Sequence, residues 1–358
     1  MTTPYDFDHL TTLPIKEKCA ELSKNGKAFH VLFAEQFDRD TLELLCSVAT
    51  KLRKIAKNRE GMDFLRSLLS HKSAMMYFTQ PSTRTFLSFI RACQYLGMDY
   101  AEVRDPRISS AYKGESDIDG VRTFSNYFDI IIMRHPGAGF AERTAYTMNS
   151  TKMAIPVISA GAGPDEHPTQ ALLDAYTLKR SFENRKNGLA GLHIAFMGDV
   201  ARGRTVRSLA KLLTLYPDVR MTFVAPGELR IKKDLAEWLD RKGVNYTETD
   251  DVRQVIKDID AMYVTRVQDE YDEGKSSLEI DYTPFHMTME LLELMKPESV
   301  IMHPLPRRAE LDPAIDSDPR ARYWDQERNG MWIRAALVAY VFSVESRILD
   351  YYGRHYTY

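Results

Sequence analysis

Four arginines stand where short apolar runs give way to helical patterns. They are Arg84 in Pro81-Ser82-Thr83-Arg84-Thr85, Arg134 in Met133-Arg134-His135-Pro136, Arg204 in Gly198-Asp199-Val200-Ala201-Arg202-Gly203-Arg204, and Arg266 in Thr265-Arg266-Val267-Gln268. A guanidinium offers a planar fork of donors that matches phosphate and carboxylate. In the first motif, Ser82 or Thr83 can cap the following helix and leave first-turn N–H groups for an anion. His167 and Gln170 lie three apart in His167-Pro168-Thr169-Gln170, so one ligand can meet both. A histidine there can move a proton or donate to a developing oxyanion. Arg266 and Gln268 lie two apart, which in extended chain puts both on one side. His303-Pro304-Leu305-Pro306-Arg307 makes a rigid turn with Pro306 as a cis candidate, and its carbonyls can accept from an ammonium or an amide. Four arginines converging on one site would call for a strongly anionic ligand set, such as one phosphate and a dicarboxylate.

Each motif also has a plainer reading. Ser82 and Thr83 can be an ordinary cap beside a surface arginine. Arg134 can be a rim residue paired with a carboxylate, and His167 a capping histidine beside a structural Gln170. The strand-turn-helix at Gly198 resembles a dinucleotide fingerprint, but its glycine spacing departs from G-x-G-x-x-G, and two arginines occupy the turn. No Walker lysine pattern accompanies Arg84. No Asp, Glu and His trio has metal-ligand spacing, and no Ser or Cys nucleophile has an evident base, so neither metal nor cofactor is expected.

Elements must hold these residues in place. Apolar runs at Met75–Phe78, Ile130–Met133, Ile155–Ile158, His193–Met197, Met221–Val224, Ala261–Val264 and Val300–Met302 read as strands. Helical periodicity lies between several of them, at Arg84–Leu96, Thr169–Lys179, Thr205–Leu215 and Lys232–Lys242, after an earlier helical stretch from Asp40. Alternating strands and helices imply an α/β fold with mostly parallel sheets. The polar Lys179–Gly191 stretch marks a junction between two doubly wound domains. A long apolar helix at about Met331–Leu349, after Asn329-Gly330, is expected to return to the first domain. The expected division is residues 1–180 plus 331–358, with 1–38 as an N-terminal extension, against 181–330. In such sheets ligands bind beyond the carboxyl ends of the strands, and the cleft between two such domains is the default site.

The 358 residues suit two domains, and 44% hydrophobic with 27% charged residues suits a soluble protein. A net charge of -2 gives no reason to expect nucleic acid or an anionic membrane. No basic segment followed by an apolar run opens the chain, and no run approaches about 18 uncharged apolar residues. Cys19, Cys46 and Cys93 form neither a disulfide framework nor a CxxC pair, which suits reduced thiols and a cytoplasmic location.

Taken in order, PSTRT, MRHP, HPTQ, GDVARGRTV, TRVQ and HPLPR resemble the aspartate and ornithine carbamoyltransferase family, on its aspartate side, from about Phe29 to the C-terminus. The resemblance implies transfer of a carbamoyl group from carbamoyl phosphate to the amine of L-aspartate, in pyrimidine biosynthesis. It implies that Ser82, Thr83, Arg84 and Thr85 hold the phosphate. Arg134, His167 and Gln170 would contact the carbamoyl group and phosphate. Arg204, Arg266 and Gln268 would bind the carboxylates of aspartate, and the Leu305 carbonyl beside Pro306 the carbamoyl amide or the amine. Ser109-Ser-Ala-Tyr-Lys113-Gly-Glu-Ser resembles the loop that reaches into a neighbouring subunit, so a homotrimer with shared sites is implied, through Ser109 and Lys113. Separate regulatory chains or a larger assembly are compatible with this.

Pro304 stands where ornithine enzymes usually carry Cys, and Arg266 suits a carboxylate better than an ammonium. The alternatives are a sister enzyme for another amino acid, such as ornithine, and a catalytically silent relative. Phe78, Thr79, Gln80, Phe86 and Ile90 depart from the family pattern around the first loop. The N-terminal extension and the 179–191 segment are longer than usual.

Overall fold

The structure is a computed structural model and describes residues 7–105, 114–161, 166–268 and 280–356. In chain order the first half carries helices α1 (Phe7–Thr12) and α2 (Ile15–Glu21), strands β1 (Ser23–Lys24) and β2 (Lys27–Ala28), and α3 (Arg39–Ile55) and α4 (Arg59–Ser67). Then follow β3 (Ser73–Phe78), α5 (Thr83–Tyr95), β4 (Asp99–Val103), α6 (Asp117–Phe124), β5 (Ile130–Arg134), α7 (Phe140–Asn149), β6 (Val157–Ser159) and α8 (Pro168–Ser181). The second half carries β7 (His193–Gly198), α9 (Arg204–Leu213), β8 (Arg220–Val224), α10 (Lys233–Lys242), β9 (Asn245–Thr249) and β10 (Ala261–Thr265). It ends with α11 (Met289–Leu294), β11 (Val300–Met302), α12 (Tyr323–Val341) and α13 (Glu345–Tyr356).

Two compact units result: Met1–Thr169 with Gly330–Tyr358, and Gln170–Asn329. The chain passes from one to the other inside α8 and inside α12, and residue 180 lies one residue before the end of α8.

The first unit holds a parallel sheet in the order β4-β3-β5-β6. Met75, Tyr77, Ile131, Met133 and Val157 supply one apolar core with Ala145, Tyr146 and Met148 of α7. The N-terminal extension lengthens this sheet: Val31 N donates to the Val157 carbonyl at 2.8 Å, and Ser159 N to the Val31 carbonyl at 2.8 Å. Polar His30 is fully buried there, its Nδ1 accepting from Val157 N at 3.0 Å and its Nε2 facing Asn149 Oδ1 at 3.0 Å.

The second unit holds a parallel sheet in the order β11-β10-β7-β8-β9. Met197, Val264, Met262 and Ile301 pack with Leu291, Leu292 and Tyr323 in its core. The long 179–191 segment is pinned to this sheet. Arg185 donates to Asp260 at 3.2 Å and to the Gly191 carbonyl at 3.1 Å, while Asp260 also accepts from His193 N at 2.9 Å.

The expected α/β class and parallel sheets hold, and six of the seven apolar runs fall within strands, while Ile155–Ile158 overlaps β6 only from Val157. Beyond the two-residue strands β1 and β2, the strands β4 and β9 carry no apolar run in the sequence, because edge strands need none: Asp99–Glu102 are all exposed. The single helix expected at 331–349 is two helices. α12 begins at Tyr323 and runs through Asn329-Gly330, because Asn329 is buried and donates to Thr177 Oγ1 at 3.1 Å instead of opening a turn. It ends before Ser343, whose φ of 55° breaks the helix ahead of α13. α13 returns to the first unit, where Tyr351 stacks on Phe64 at 3.9 Å and Lys54 donates to the Tyr352 hydroxyl at 3.0 Å.

Candidate active site

Both sheets reverse direction at one place, and both reversals carry arginines. In the first unit the chain runs from β3 outward to β4, then returns to β5 on the other side of β3. In the second it runs from β7 through β8 to β9, then returns to β10 on the other side of β7. Beyond the carboxyl ends of such a pair the two connections leave in opposite directions and open a crevice. PSTRT follows β3 and MRHP ends β5; GDVARGRT follows β7 and TRVQ follows β10.

The helices that start at these motifs are electrostatically distinct. Nine of the twelve helices from α2 to α13 place Asp or Glu in the first turn, where the helix dipole favours an anion. The exceptions are α5, α8 and α9, which open at PSTRT, HPTQ and GRT. An acid at those positions would stabilise each helix but repel an anionic ligand. Its absence leaves first-turn N–H groups to a ligand.

In the first unit Ser82 is the N-cap of α5, yet its side chain makes no capping hydrogen bond, which corrects the expectation of a Ser82 cap. Thr83 and Arg84 are exposed, and Thr85 is buried in the first turn. Arg134 is the register partner of Phe78, and its carbonyl accepts from Gln80 N at 3.1 Å, which ties the PSTRT loop to the end of β5. The Arg134 guanidinium donates to the Ala160 carbonyl at 3.2 Å. His167 is buried against the next residue of that turn. A β-carbon on Gly161, at φ 86°, would lie 2.3 Å from His167 Cδ2 and 2.7 Å from Nε2, so only glycine leaves room for the ring. The 160–161 turn therefore gathers Arg134 and His167, and the β3–β5 pair brings the loop of Ser82–Thr85 beside them.

Phe78, Phe86 and Ile90, which flank the first loop, have a packing role. Phe78 and Phe86 are buried edge to face at 5.2 Å, Arg104 lies over the Phe86 ring at 4.5 Å, and Ile90 is buried one turn on. This apolar clasp fastens α5 to β3, each buried ring contributing roughly 2 kcal/mol.

In the second unit Arg204 is the first residue of α9, and Gln170 sits in the first turn of α8, buried, donating to Asp174 at 3.0 Å. The two arginines of GDVARGR separate in function. Arg202 binds fully buried Asp199 through Nε at 2.8 Å and its backbone N at 3.1 Å, a supporting role within the turn, while Arg204 opens α9. Asp199 also accepts from Gln268 N at 3.0 Å, which places Gln268 at the β7–β10 reversal. Arg266 follows β10, half-buried, with Nη1 on the Val267 carbonyl at 2.8 Å. The Leu305–Pro306 bond is cis, as the sequence suggested, and lies beyond β11. Its turn is braced by His303, whose Nδ1 accepts from Leu305 N at 2.8 Å while Nε2 meets Glu310 at 2.8 Å. Burial opposes the charge on Glu310, but the His303 bond and the Arg308 N–H outweigh it and hold the carboxyl below its ordinary range.

Sequence reasoning missed Asp174, Asp199, His303 and Glu310 as supports. Asp199 and His303 stood inside quoted motifs, but only their hydrogen bonds reveal the role. Ser109 and Lys113 lie outside the described residues.

The chain is similar to known proteins over most of its length. A family model described as the carbamoyl-P binding domain of aspartate/ornithine carbamoyltransferase matches residues 30–180, and one described as the Asp/Orn binding domain matches 190–341. A pea relative, aspartate carbamoyltransferase 1, chloroplastic, is 40% identical over 90% of this chain and 82% of its own. The aspartate carbamoyltransferase catalytic subunit of Methanosarcina mazei is 38% identical over 88% of this chain and 97% of its own. The structure of aspartate transcarbamoylase from Trypanosoma cruzi, in complex with carbamoyl aspartate and phosphate, matches with a TM-score of 0.77 and 32% identity, covering 87% of this chain and 95% of that one. With arginines at both sheet reversals and two family domains end to end, the chain belongs to the aspartate/ornithine carbamoyltransferase family.

Proposed function

We propose a division of labour between the two sets of residues for the reaction this enzyme catalyses, transfer of the carbamoyl group from carbamoyl phosphate to L-aspartate, giving N-carbamoyl-L-aspartate and phosphate. The observation that carries it is the pair of arginines at each sheet reversal: Arg84 and Arg134 in the first unit, Arg204 and Arg266 in the second. Ser82, Thr83, Arg84 and Thr85, with the first-turn N–H groups of α5, take the phosphate. Arg134, His167 and Gln170 take the carbamoyl group. Arg204, Arg266 and Gln268 take the two carboxylates of aspartate, and the Leu305 carbonyl beside Pro306 meets the carbamoyl amide or the amine.

The α-amine of aspartate attacks the carbamoyl carbon. Charge grows on the carbonyl oxygen, where Thr85, Arg134 and His167 stabilise it, one such donor being worth about 3 kcal/mol. The C–O bond to phosphate then breaks, and the departing dianion is neutralised by Arg84, Lys113 and the helix head. The phosphate itself takes the amine proton. Most of the acceleration comes from orientation and electrostatics, with no covalent intermediate. A carbamoyl-transfer assay across amino acids tests this: carbamoyl-aspartate should form, whereas carbamoylation of ornithine with aspartate ignored would overturn it.

A homotrimer with shared sites, each completed by Ser109 and Lys113 of a neighbour, extends this reading. Exposed Tyr100 on edge strand β4 and exposed Leu87 on α5 support a covered surface there. Sedimentation should give three chains. Mixing inactive Arg84→Ala and Lys113→Ala chains should restore part of the activity; no recovery in mixed trimers would argue against sharing. A cytoplasmic location fits the buried thiols Cys46 and Cys93, the latter pushed up to about 12 by burial, and cell fractionation checks it. Among the described residues no helix is long and apolar enough to cross a membrane.

A further inference from the structure

Asp174, on α8 one turn after Gln170, is fully buried, and three donors converge on its two oxygens. Gln170 Nε2 at 3.0 Å and Gln326 Nε2 at 2.6 Å donate to Oδ1, and the Tyr263 hydroxyl donates to Oδ2 at 2.8 Å. A primary amide has two N–H donors and one carbonyl. The donor end of Gln170 is turned toward Asp174, so the carbonyl Oε1 is the end directed away from that carboxylate.

The same carboxylate is linked to the other carbonyl of the site. Gln326 spans from Asp174 to the backbone, its Oε1 accepting from His303 N at 3.0 Å, and His303 Nδ1 accepts from Leu305 N. Gln170 and the Leu305 turn therefore hang on one buried acceptor. A buried carboxylate is costly unless fully satisfied, and here it organises two ligand-side acceptors. The only group of carbamoyl phosphate that donates is its –NH2.

We propose that Asp174 is a positioning residue that locks the Gln170 amide with its carbonyl outward, so that the site reads the –NH2 of carbamoyl phosphate and discriminates against an acyl phosphate carrying methyl there. This rests on Gln170 meeting the carbamoyl group. An amide without the anchor fits equally well flipped, with donor facing donor. A site built to hydrogen-bond a substrate group rejects the analogue lacking it, and that rejection fails when the site's own acceptor turns away.

The test compares KM for carbamoyl phosphate with Ki for acetyl phosphate, its methyl analogue, at saturating aspartate. Asp174→Leu removes the acceptor. KM for carbamoyl phosphate should rise about tenfold while Ki for acetyl phosphate stays within about twofold, so the ratio falls about tenfold. Asp174→Asn keeps an oxygen for Gln170, and the Tyr263 hydroxyl can turn to accept from the new amide, so this variant should retain the wild-type ratio. If Asp174→Leu fails to fold because Tyr263 and Gln326 lose their acceptor, Asp174→Leu with Tyr263→Phe removes one of the orphaned donors and is measured instead. An unchanged ratio in the folded leucine variant, an equal rise in both constants, or a loss of discrimination in Asp174→Asn as well would each overturn the proposal. Failure of the wild-type protein to use carbamoyl phosphate would instead overturn the underlying reading of the site.

Discussion

Phe78 and Arg134 are register partners at the carboxyl ends of adjacent parallel strands, so the first residues of the PSTRT loop leave the sheet beside the arginine that ends β5. Gln80 N completes the link on the Arg134 carbonyl at 3.1 Å. The loop and the arginine are about fifty residues apart in sequence, and the ladder makes them neighbours. The loop that leads into α5 therefore starts from the strand next to the one that ends in Arg134.

Arg134→Ala should lower kcat about 10²- to 10³-fold, as expected for removing one donor to a developing oxyanion. Its guanidinium also donates to the Ala160 carbonyl at 3.2 Å, so a structural contribution has to be read separately from the kinetic one. Steady-state kinetics beside a thermal melt separate the two effects, and unaltered kcat would remove Arg134 from the reaction.

The two arginines of GDVARGR should separate in opposite ways. Arg204→Ala should raise KM for aspartate at least tenfold. Arg202→Ala leaves the buried Asp199 carboxylate without its cation and should cost about 3–5 kcal/mol in denaturant unfolding. Equal kinetic effects without a stability difference would contradict this assignment.

Gly198→Ala should destabilise the second unit by about 3 kcal/mol. The residue has φ 117°, and an added β-carbon would lie 2.1 Å from the Thr265 carbonyl on the neighbouring strand. Urea unfolding measures the loss, and a variant as stable as the parent would disprove the close approach.

Stability should fall as pH drops from about 6.5 to about 4. His30 is held neutral mainly by burial, which lowers its pKa to about 4, while Asn149 pulls the other way. Between these values the unfolded chain binds a proton that the folded chain refuses, so folding is penalised, by about 3 kcal/mol in all. Above about 6.5 neither state is charged and the penalty is absent. Replacement by Asn should flatten this limb of the stability curve; an unchanged limb would show that other groups dominate it.

Much was legible because it is local. Alternating apolar runs and helical periods specify a parallel α/β fold, since buried strands and amphipathic helices each carry their own period. Arg84, Arg134, His167, Arg204 and Arg266 could be singled out because each follows an apolar run at a predicted strand end, where open α/β sheets bind ligands. Pro306 as a cis candidate was equally local. The edge strands β4 and β9 were not legible, because exposed polar strands lack a pattern and are defined by their partner's ladder. The break near Ser343 and the helix through Gly330 depended on packing that outweighs the local turn signal at Asn329-Gly330.

What only the tertiary structure decided is which polar residue serves which. Arg202 and Arg204 are two residues apart and alike in sequence; the burial of Asp199 assigns Arg202 to support. Asp174, Tyr263 and Gln326 look unremarkable in three distant segments, and their common hydrogen bonds turn them into the frame of Gln170. Residue types and short spacings set the chemistry available to this chain. The orientation of a given side chain depends on donors and acceptors brought together by strands far apart in sequence, and no local pattern records that meeting.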